Sequence, residues 1–311
     1  MDVLVNEVAA LQRRSGAPRV AVLINESAGS AEPALRGRIV AAFATHRIDA
    51  DLQVVAGDGM KAAAERAAAS SDAVVVGGGD GSIRTVASVL VGSSVPLGVL
   101  PLGTFNHFAK DLRLPLDVEA AVAVIARGQT SAIDVGEVSG RVFINNSSIG
   151  LYPFLVLDRE RERRRSGLPK RLAMVLAGLR ALRRFPRHRL VIHADGEART
   201  YRSPCVFIGN NDYCVSGLSL GTRACLDDGR LCLFIARRQS AFGLFILALR
   251  CLVGLLDEER DLRSLSVTAV DITYRHGSLL VACDGEVERL APPLHYRIRP
   301  KALRVFADPS S

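Results

Sequence analysis

The chain has 311 residues, of which 49% are hydrophobic and 23% charged, a balance that fits one large or two ordinary globular domains and excludes wholesale disorder or a collagen-like chain. Its net charge of +8 is concentrated: residues 159–189 hold twelve Lys or Arg against Glu160 and Glu162, a net of +10 that leaves −2 on the other 280 residues. No uncharged apolar run reaches the ~18 residues of a spanning helix, and the first residues show no cleavable apolar stretch, so a cytoplasmic protein is predicted.

From residue 19 the pattern alternates strand, loop and helix. VAVLI at 20–24 is a continuous apolar run, as in a strand buried on both faces, and ends in turn-rich NESAGS. A helix is predicted over 34–45, a strand over 51–55 and an Ala-rich helix over 61–70. AVVV at 73–76 runs into GGGDGS and then a helix from about Ser82; LGVL at 97–100 runs into PLGT and a helix over FNHFAKDL. This alternation predicts a Rossmann-like three-layer α/β domain over residues 1–132, with ligands at the carboxyl ends of the strands. From 133 to 311 the texture turns to paired strands, predicting a β-sandwich domain with two inserted helices at 170–184 and 240–256. The last strand is allowed to return to the first domain.

The glycine-rich loops carry the chemistry. In GGGDGS, glycines let the backbone approach a ligand with N–H groups turned inward and positive φ accessible, and the following helix N-terminus favours a phosphate. It is neither a Walker A loop nor GxGxxG. Asp80 inside it would repel phosphate unless it served a metal, a water or a ribose hydroxyl; a plain tight turn is the alternative. In PLGT, Thr104 is placed as a helix N-cap. Asp284 and Glu286 flank a glycine in ACDGEVERL, where adjacent acids can position a hydroxyl and take its proton. The same tripeptide occurs at Asp195-Gly196-Glu197, and local sequence does not separate the two.

The six cysteines include no CxxC pair, so free thiols are expected. Within the basic segment, Leu172, Val175, Leu176, Leu179 and Leu182 recur at helical spacing, the pattern of a basic amphipathic helix on an anionic lipid surface; a core stripe with a solvated basic face is the alternative. No nucleic-acid motif accompanies the charge, so no nucleic-acid partner is expected.

GGGDGS, then PLGTFNHFAKDL, then a late CDGE resemble the diacylglycerol kinase catalytic-domain family, which includes soluble bacterial lipid kinases and relatives of sphingosine and ceramide kinases. The likeness extends over residues 19–306 through LINESAG, IDVGEVSGRVFINNSSIG, VFIGNN and LDDGRL. It implies ATP- and Mg²⁺-dependent transfer of a γ-phosphate to a lipid hydroxyl at a membrane surface, in a cleft between two domains. By position, Gly78, Gly79, Asp80, Gly81 and Ser82 would cradle the phosphates, with Asn25 and Thr104 contacting the nucleotide. Glu286 would be the general base with Asp284 beside it, and Asp80 and Asp134 would join a network of acids, water and Mg²⁺ supported by Asn106 and His107. The LDDGRL turn matches a metal site of Asp228 and the backbone carbonyls of Cys225 and Arg230. Peripheral membrane association through residues 159–189 follows from the same likeness, and a homodimer is compatible with it.

The chain departs from the family pattern in several places. Ser82 replaces a threonine, Arg84-Thr85 an Asn-Glu, His107 an aspartate, and Glu26-Ser27-Ala28 lose a proline; of a double glycine only Gly217 remains. An altered acceptor or metal arrangement is expected. The competing readings are an NAD-kinase-like enzyme with a soluble substrate and a nucleotide- or lipid-binding regulator without turnover.

Overall fold

The structure, a computed structural model, describes residues 18–27, 33–154, 156–157, 188–213, 223, 225–237, 240, 243, 250 and 261–307. The basic stretch 159–187, the helix predicted at 170–184 and most of the one at 240–256 lie outside the described residues. The chain divides into two compact units, residues 1–131 with 303–311, and residues 132–302.

The first unit is built on four parallel strands, β1 (Arg19–Asn25), β2 (Asp49–Val55), β3 (Ala73–Gly78) and β4 (Leu97–Pro101), in the order β2-β1-β3-β4. The uniformly apolar strands occupy the middle: every residue of β3 and β4 is buried, whereas edge strand β2 alternates exposed and half-buried positions. The helices are α1 (Pro33–Thr45), α2 (Met60–Ser70), α3 (Asp80–Leu90), α4 (His107–Asp111) and α5 (Val118–Ala126). They pack as pairs, α1 with α5 and α2 with α3. In α3 the buried residues Ile83, Val86, Ala87 and Leu90 recur at i, i+3, i+4 and i+7, the stripe by which a helix seats on its neighbours. Ile24, Phe43, Val75, Leu100 and Ile125 meet in one core cluster.

The second unit is antiparallel and two-layered. Its strands are β5 (Thr130–Val138), β6 (Arg141–Phe143), β7 (Asn146–Gly150), β8 (His188–Ala194), β9 (Glu197–Ser203), β10 (Cys205–Asn210), β11 (Leu231–Ala236), β12 (Leu262–Val267), β13 (Ala269–Tyr274), β14 (Leu279–Cys283), β15 (Glu286–Leu290) and β16 (Leu294–Phe306). One layer has the order β12-β11-β10-β7-β14-β15; the other runs β16-β13-β8-β9, with β5 beside β16. Ile149, Ile208 and Leu233 of the first layer pack with Leu190, Ile272, Leu294 and Tyr296 of the second, which makes a sandwich core. The end of β16, from Leu303, belongs to the first unit, where Val305 pairs in parallel with Leu97 of β4.

Three boundaries differ from the sequence reading. Gly77 and Gly78 belong to β3, and α3 starts at Asp80 rather than Ser82. GGGDGS is therefore hardly a loop: only Gly79 separates strand from helix. Helix α4 begins at His107, two residues after the predicted start.

Candidate active site

The carboxyl ends of β3 and β4 bring the two glycine turns of the first unit together. A Cβ on Gly103 would lie 2.5 Å from Gly79 Cα and 2.8 Å from Asn106 Oδ1. No side chain fits there, because the turn after β4 rests directly on the strand-to-helix junction after β3. Glycine serves here for close approach. Gly79 has φ −89° and ψ 178°, and Gly77 to Gly79 are absent from the positive-φ positions, contrary to the left-handed conformations the sequence allowed. A Cβ on Gly78 would meet Ser82 at 2.9 Å and Asn25 Cβ at 3.4 Å.

Side chains lock this junction from three sides. Asn25, at the end of β1, donates from Nδ2 to Ser82 Oγ at 2.6 Å, while its Oδ1 accepts from the Ser27 N–H at 2.9 Å. Asp80 accepts from the N–H groups of His107 at 3.3 Å and Phe108 at 3.1 Å, so one turn holds the first amides of the other's helix. Buried Asn106 folds the PLGT turn around itself, accepting from Gly103 N–H and donating to Pro101 and Gly103 carbonyls. The first two amides of α4 are thus taken by a carboxylate. The leading N–H groups of α3, including Asp80 and Gly81, have no intrahelical partner by the geometry of a helix start, and its dipole adds attraction for an anion.

Thr104 does not cap α4. That position belongs to Asn106, in the left-handed region at φ 52°, and Thr104 is exposed on the turn. Phe105 is exposed, and its ring stacks on that of exposed His107 at 5.7 Å.

In the second unit Asp134 is a fully buried hub. Its carboxylate accepts from Lys301 N–H at 2.8 Å, Asn211 Nδ2 at 2.7 Å and Gly229 N–H at 2.6 Å, and its own N–H donates to Leu226 O at 2.8 Å. It therefore shapes the LDDGRL turn. Asp228 is exposed on that turn and hydrogen-bonds the exposed Cys225 thiol, a contact that raises the thiol pKa. The Arg230 carbonyl accepts from Asn211 N–H at 3.0 Å and keeps a second lone pair. Oδ1 of Asn210 and of Asn211 are buried without a hydrogen-bond partner among the described residues. Their Nδ2 atoms face carbonyl and carboxylate oxygens, which fixes the amide orientation. Carboxylate, carbonyl and amide oxygens are the ligand types that a hard cation takes. Among the described residues no three His, Cys, Asp or Glu side chains cluster as a metal site.

Asp284 and Gly285, at φ 48° and 86°, form the two-residue turn between β14 and β15, with Cys283 opposite Glu286. The Asp284 carboxylate accepts three consecutive amides: Ile144 at 2.8 Å, Asn145 at 2.8 Å and Asn146 at 3.0 Å. Glu286 is exposed at the start of β15. Of the residues singled out in sequence, Asn25, Gly78, Gly79, Asp80, Gly81, Ser82, Asn106 and His107 meet in the first unit. Asp134, Cys225, Asp228, Arg230, Asp284 and Glu286 lie in the second. Sequence reasoning missed Asn145, Asn210, Asn211 and Arg223, the buried polar residues that join Asp134 to Asp284. The only sequence signal for the three asparagines was the pair of Asn-Asn dipeptides that follow apolar runs, and Arg223 had none.

Comparison with known proteins agrees with this architecture. Residues 19–138 match the diacylglycerol kinase catalytic domain, and residues 158–307 match the YegS C-terminal NAD kinase beta sandwich-like domain. A YegS-like probable lipid kinase of Klebsiella pneumoniae is 29% identical over 214 residues, 68% of this chain and 71% of that protein. A protein of the same name from Yersinia pestis is 29% identical over 179 residues, 56% of this chain and 60% of its own. An uncharacterised Synechocystis protein is 25% identical over 240 residues, and the match spans 54% of its length. The crystal structure of a diacylglycerol kinase from Bacillus anthracis str. Sterne shares the fold with a TM-score of 0.67 at 19% identity, over 95% of this chain and 99% of that one. Another chain from that organism reaches 0.73 at 22% identity, over 94% of this chain and 99% of that one.

Proposed function

We propose that this chain, whose residues 19–138 match the diacylglycerol kinase catalytic domain, is a lipid kinase, moving the γ-phosphate of ATP onto a hydroxyl of a membrane lipid. Diacylglycerol, ceramide, a sphingoid base and related lipids are the acceptors in view. The observation that carries the reading is the contact of Gly79 with Gly103 at the N-terminus of α3. It brings two glycine turns into backbone contact beside the leading amides of α3, which suits the phosphates of a nucleotide.

This reading assigns the roles as follows. The amides of Asp80 and Gly81 meet phosphate oxygens; Asn25 and Ser82 hold the strand end beside them; Asp80, through α4, keeps the two turns in register. Glu286 takes the proton of the lipid hydroxyl as its oxygen bonds to the γ-phosphorus and the bond to the β–γ bridging oxygen breaks, releasing ADP. Such a transfer needs positioning and charge neutralisation more than covalent help from the protein. Mg²⁺, when bound, would neutralise phosphate charge; Asp228 with the carbonyls of Cys225 and Arg230 would hold a divalent cation on the second unit. The basic segment 159–189 would bring the enzyme to anionic lipid. His107, where the family has an aspartate, would alter the acceptor or metal preference.

The test incubates the protein with γ-labelled ATP, Mg²⁺ and micelles of diacylglycerol, ceramide, sphingosine or phosphatidylglycerol, with free NAD as a soluble acceptor. Label on one lipid, lost in Glu286→Gln, is the expected result. Label on NAD without micelles would replace the lipid reading, and ATP binding without transfer to any acceptor would make the protein a regulator. Sedimentation with anionic vesicles should weaken as salt rises if residues 159–189 bind by charge.

A further inference from the structure

We infer that Arg223 is a positioning residue for the catalytic base, acting through the backbone of Ile144–Asn146 and the carboxylate of Asp284. The inference rests on the reading of Glu286 as that base. Arg223 is buried, with its guanidinium 5.5 Å from the centre of the Tyr213 ring. Its Nη1 donates to the Ile144 carbonyl at 2.8 Å and to the Asn210 carbonyl at 3.2 Å, and its Nη2 to Asn145 Oδ1 at 2.9 Å.

The Ile144 carbonyl and the Asn145 N–H are the two ends of one planar peptide group. Arg223 and Asn210 Nδ2 sit on its oxygen, and the Asp284 carboxylate sits on its N–H. The next peptide repeats the arrangement: Asn145 O accepts from Tyr213 OH and Asn210 N–H, both at 2.9 Å, while Asn146 N–H donates to Asp284. A cation at one end and a carboxylate at the other polarise the first of these peptides, neutral donors and the same carboxylate the second, and each hydrogen bond strengthens the next. The Asp284 N–H returns to Asn146 O at 2.9 Å and closes the ring. Two residues later the chain is Glu286. A residue 63 positions before the base in sequence is thereby wired to the turn that aims it.

This arrangement also explains why the guanidinium is buried. Its planar fork reaches backbone carbonyls from one nitrogen and a side-chain oxygen from the other, a pre-organised geometry that a point-like ammonium lacks. Arg223→Gln removes the charge, Arg223→Lys keeps it without the fork, and Asp284→Asn removes the anionic end.

The experiment is a double-mutant cycle on the wild type, Arg223→Gln, Asp284→Asn and the pair, with Arg223→Lys as the conservative variant. Each is assayed against the phosphorylated lipid over ranges of ATP and lipid. Arg223→Gln is expected to lower kcat about 10- to 100-fold, the scale of a charge-assisted hydrogen bond, with KM for ATP and lipid within about twofold. Arg223→Lys should recover part of the loss, and the double variant should be about as slow as the slower single one. Losses that multiply, a change confined to KM, or Arg223→Lys slower than Arg223→Gln would overturn the inference. Amide hydrogen exchange gives a readout independent of turnover: Arg223→Gln should speed exchange at Asn145 and Asn146, and unchanged exchange there would also overturn it. If Glu286→Gln is as active as wild type, or no lipid is phosphorylated, the kinase reading fails while the exchange result still decides the relay.

Discussion

Asp195-Gly196-Glu197 and Asp284-Gly285-Glu286 are one tripeptide used twice in one unit. Both close two-residue hairpins, β8 to β9 and β14 to β15, with Ala194 opposite Glu197 and Cys283 opposite Glu286. Both place Asp and Gly at positive φ, 51° and 78° in the first and 48° and 86° in the second, the twist that suits adjoining strands. Their surroundings differ. Asp195 is exposed and Glu197 forms a surface ion pair with Arg199 at 2.6 Å, a contact worth little in water. Asp284 is half-buried with three amides on its carboxylate. The same turn is a chain reversal in one place and an anchored support for an acid in the other. What separates them is a segment some 140 residues upstream that offers its N–H groups to one and not the other.

The contrast is sharpest in catalysis. Glu286→Gln should lower kcat by about 10²- to 10⁴-fold, the usual worth of a general base, while Glu197→Gln leaves it unchanged; equal effects in the lipid assay would end the assignment. Stability comes next. Asparagine is as good as aspartate in this turn type, so Asp195→Asn should move unfolding in urea by less than about 0.5 kcal/mol. Asp284→Asn puts an NH₂ group against amide donors and should cost roughly 1.5–3 kcal/mol. Similar midpoints for the two would show that the amide nest holds nothing.

The first unit carries a parallel contrast between glycines. Gly103→Ala drives a Cβ to 2.5 Å from Gly79 Cα, whereas Gly79→Ala meets Gly103 Cα at 3.6 Å, an ordinary contact. The former should weaken nucleotide binding and lose about 1–3 kcal/mol to overpacking; calorimetric titration with ATP and thermal unfolding of both variants check this. The smallest effect concerns thiols. Burial pushes the Cys232 thiol up to about 12, while Cys225 is exposed. Alkylation at pH 8 should label Cys225 and spare Cys232. Since the folded pKa of Cys232 is the higher, its contribution to stability is complete below the ordinary thiol range and fades as pH rises from about 9 towards 12. Urea midpoints across that range should fall, and less steeply in Cys232→Ser.

Much of the fold is legible locally. Short apolar runs such as AVVV and LGVL, each followed by glycine or proline, read as strands buried on both faces, and helical spacing after each makes a parallel sheet the natural solution. The glycine turns after β3 and β4 are legible for the same reason, since Gly and Pro punctuate the ends of such runs. The cap of α4 was not. Thr104 has the composition of an N-cap, but Asn106 tolerates left-handed φ and can satisfy Gly103 and Pro101 at once, so tertiary geometry prefers it. Asp80 was legible as an acid in the wrong place for a phosphate. That its oxygens belong to the amides of His107 and Phe108, 27 and 28 residues on, depends on the two turns touching.

The sequence by itself determined the strands, their alternation with helices, and the positions of the turns, because those follow from periodicity and from what glycine and proline do to their neighbours. Only the tertiary structure decided which polar groups would be partners: Asp134 with Lys301, Asp284 with Ile144, Arg223 with both ends of an intervening peptide. The reason is that a buried polar atom must find a partner wherever the fold supplies one, and the distance along the chain places no bound on where that is.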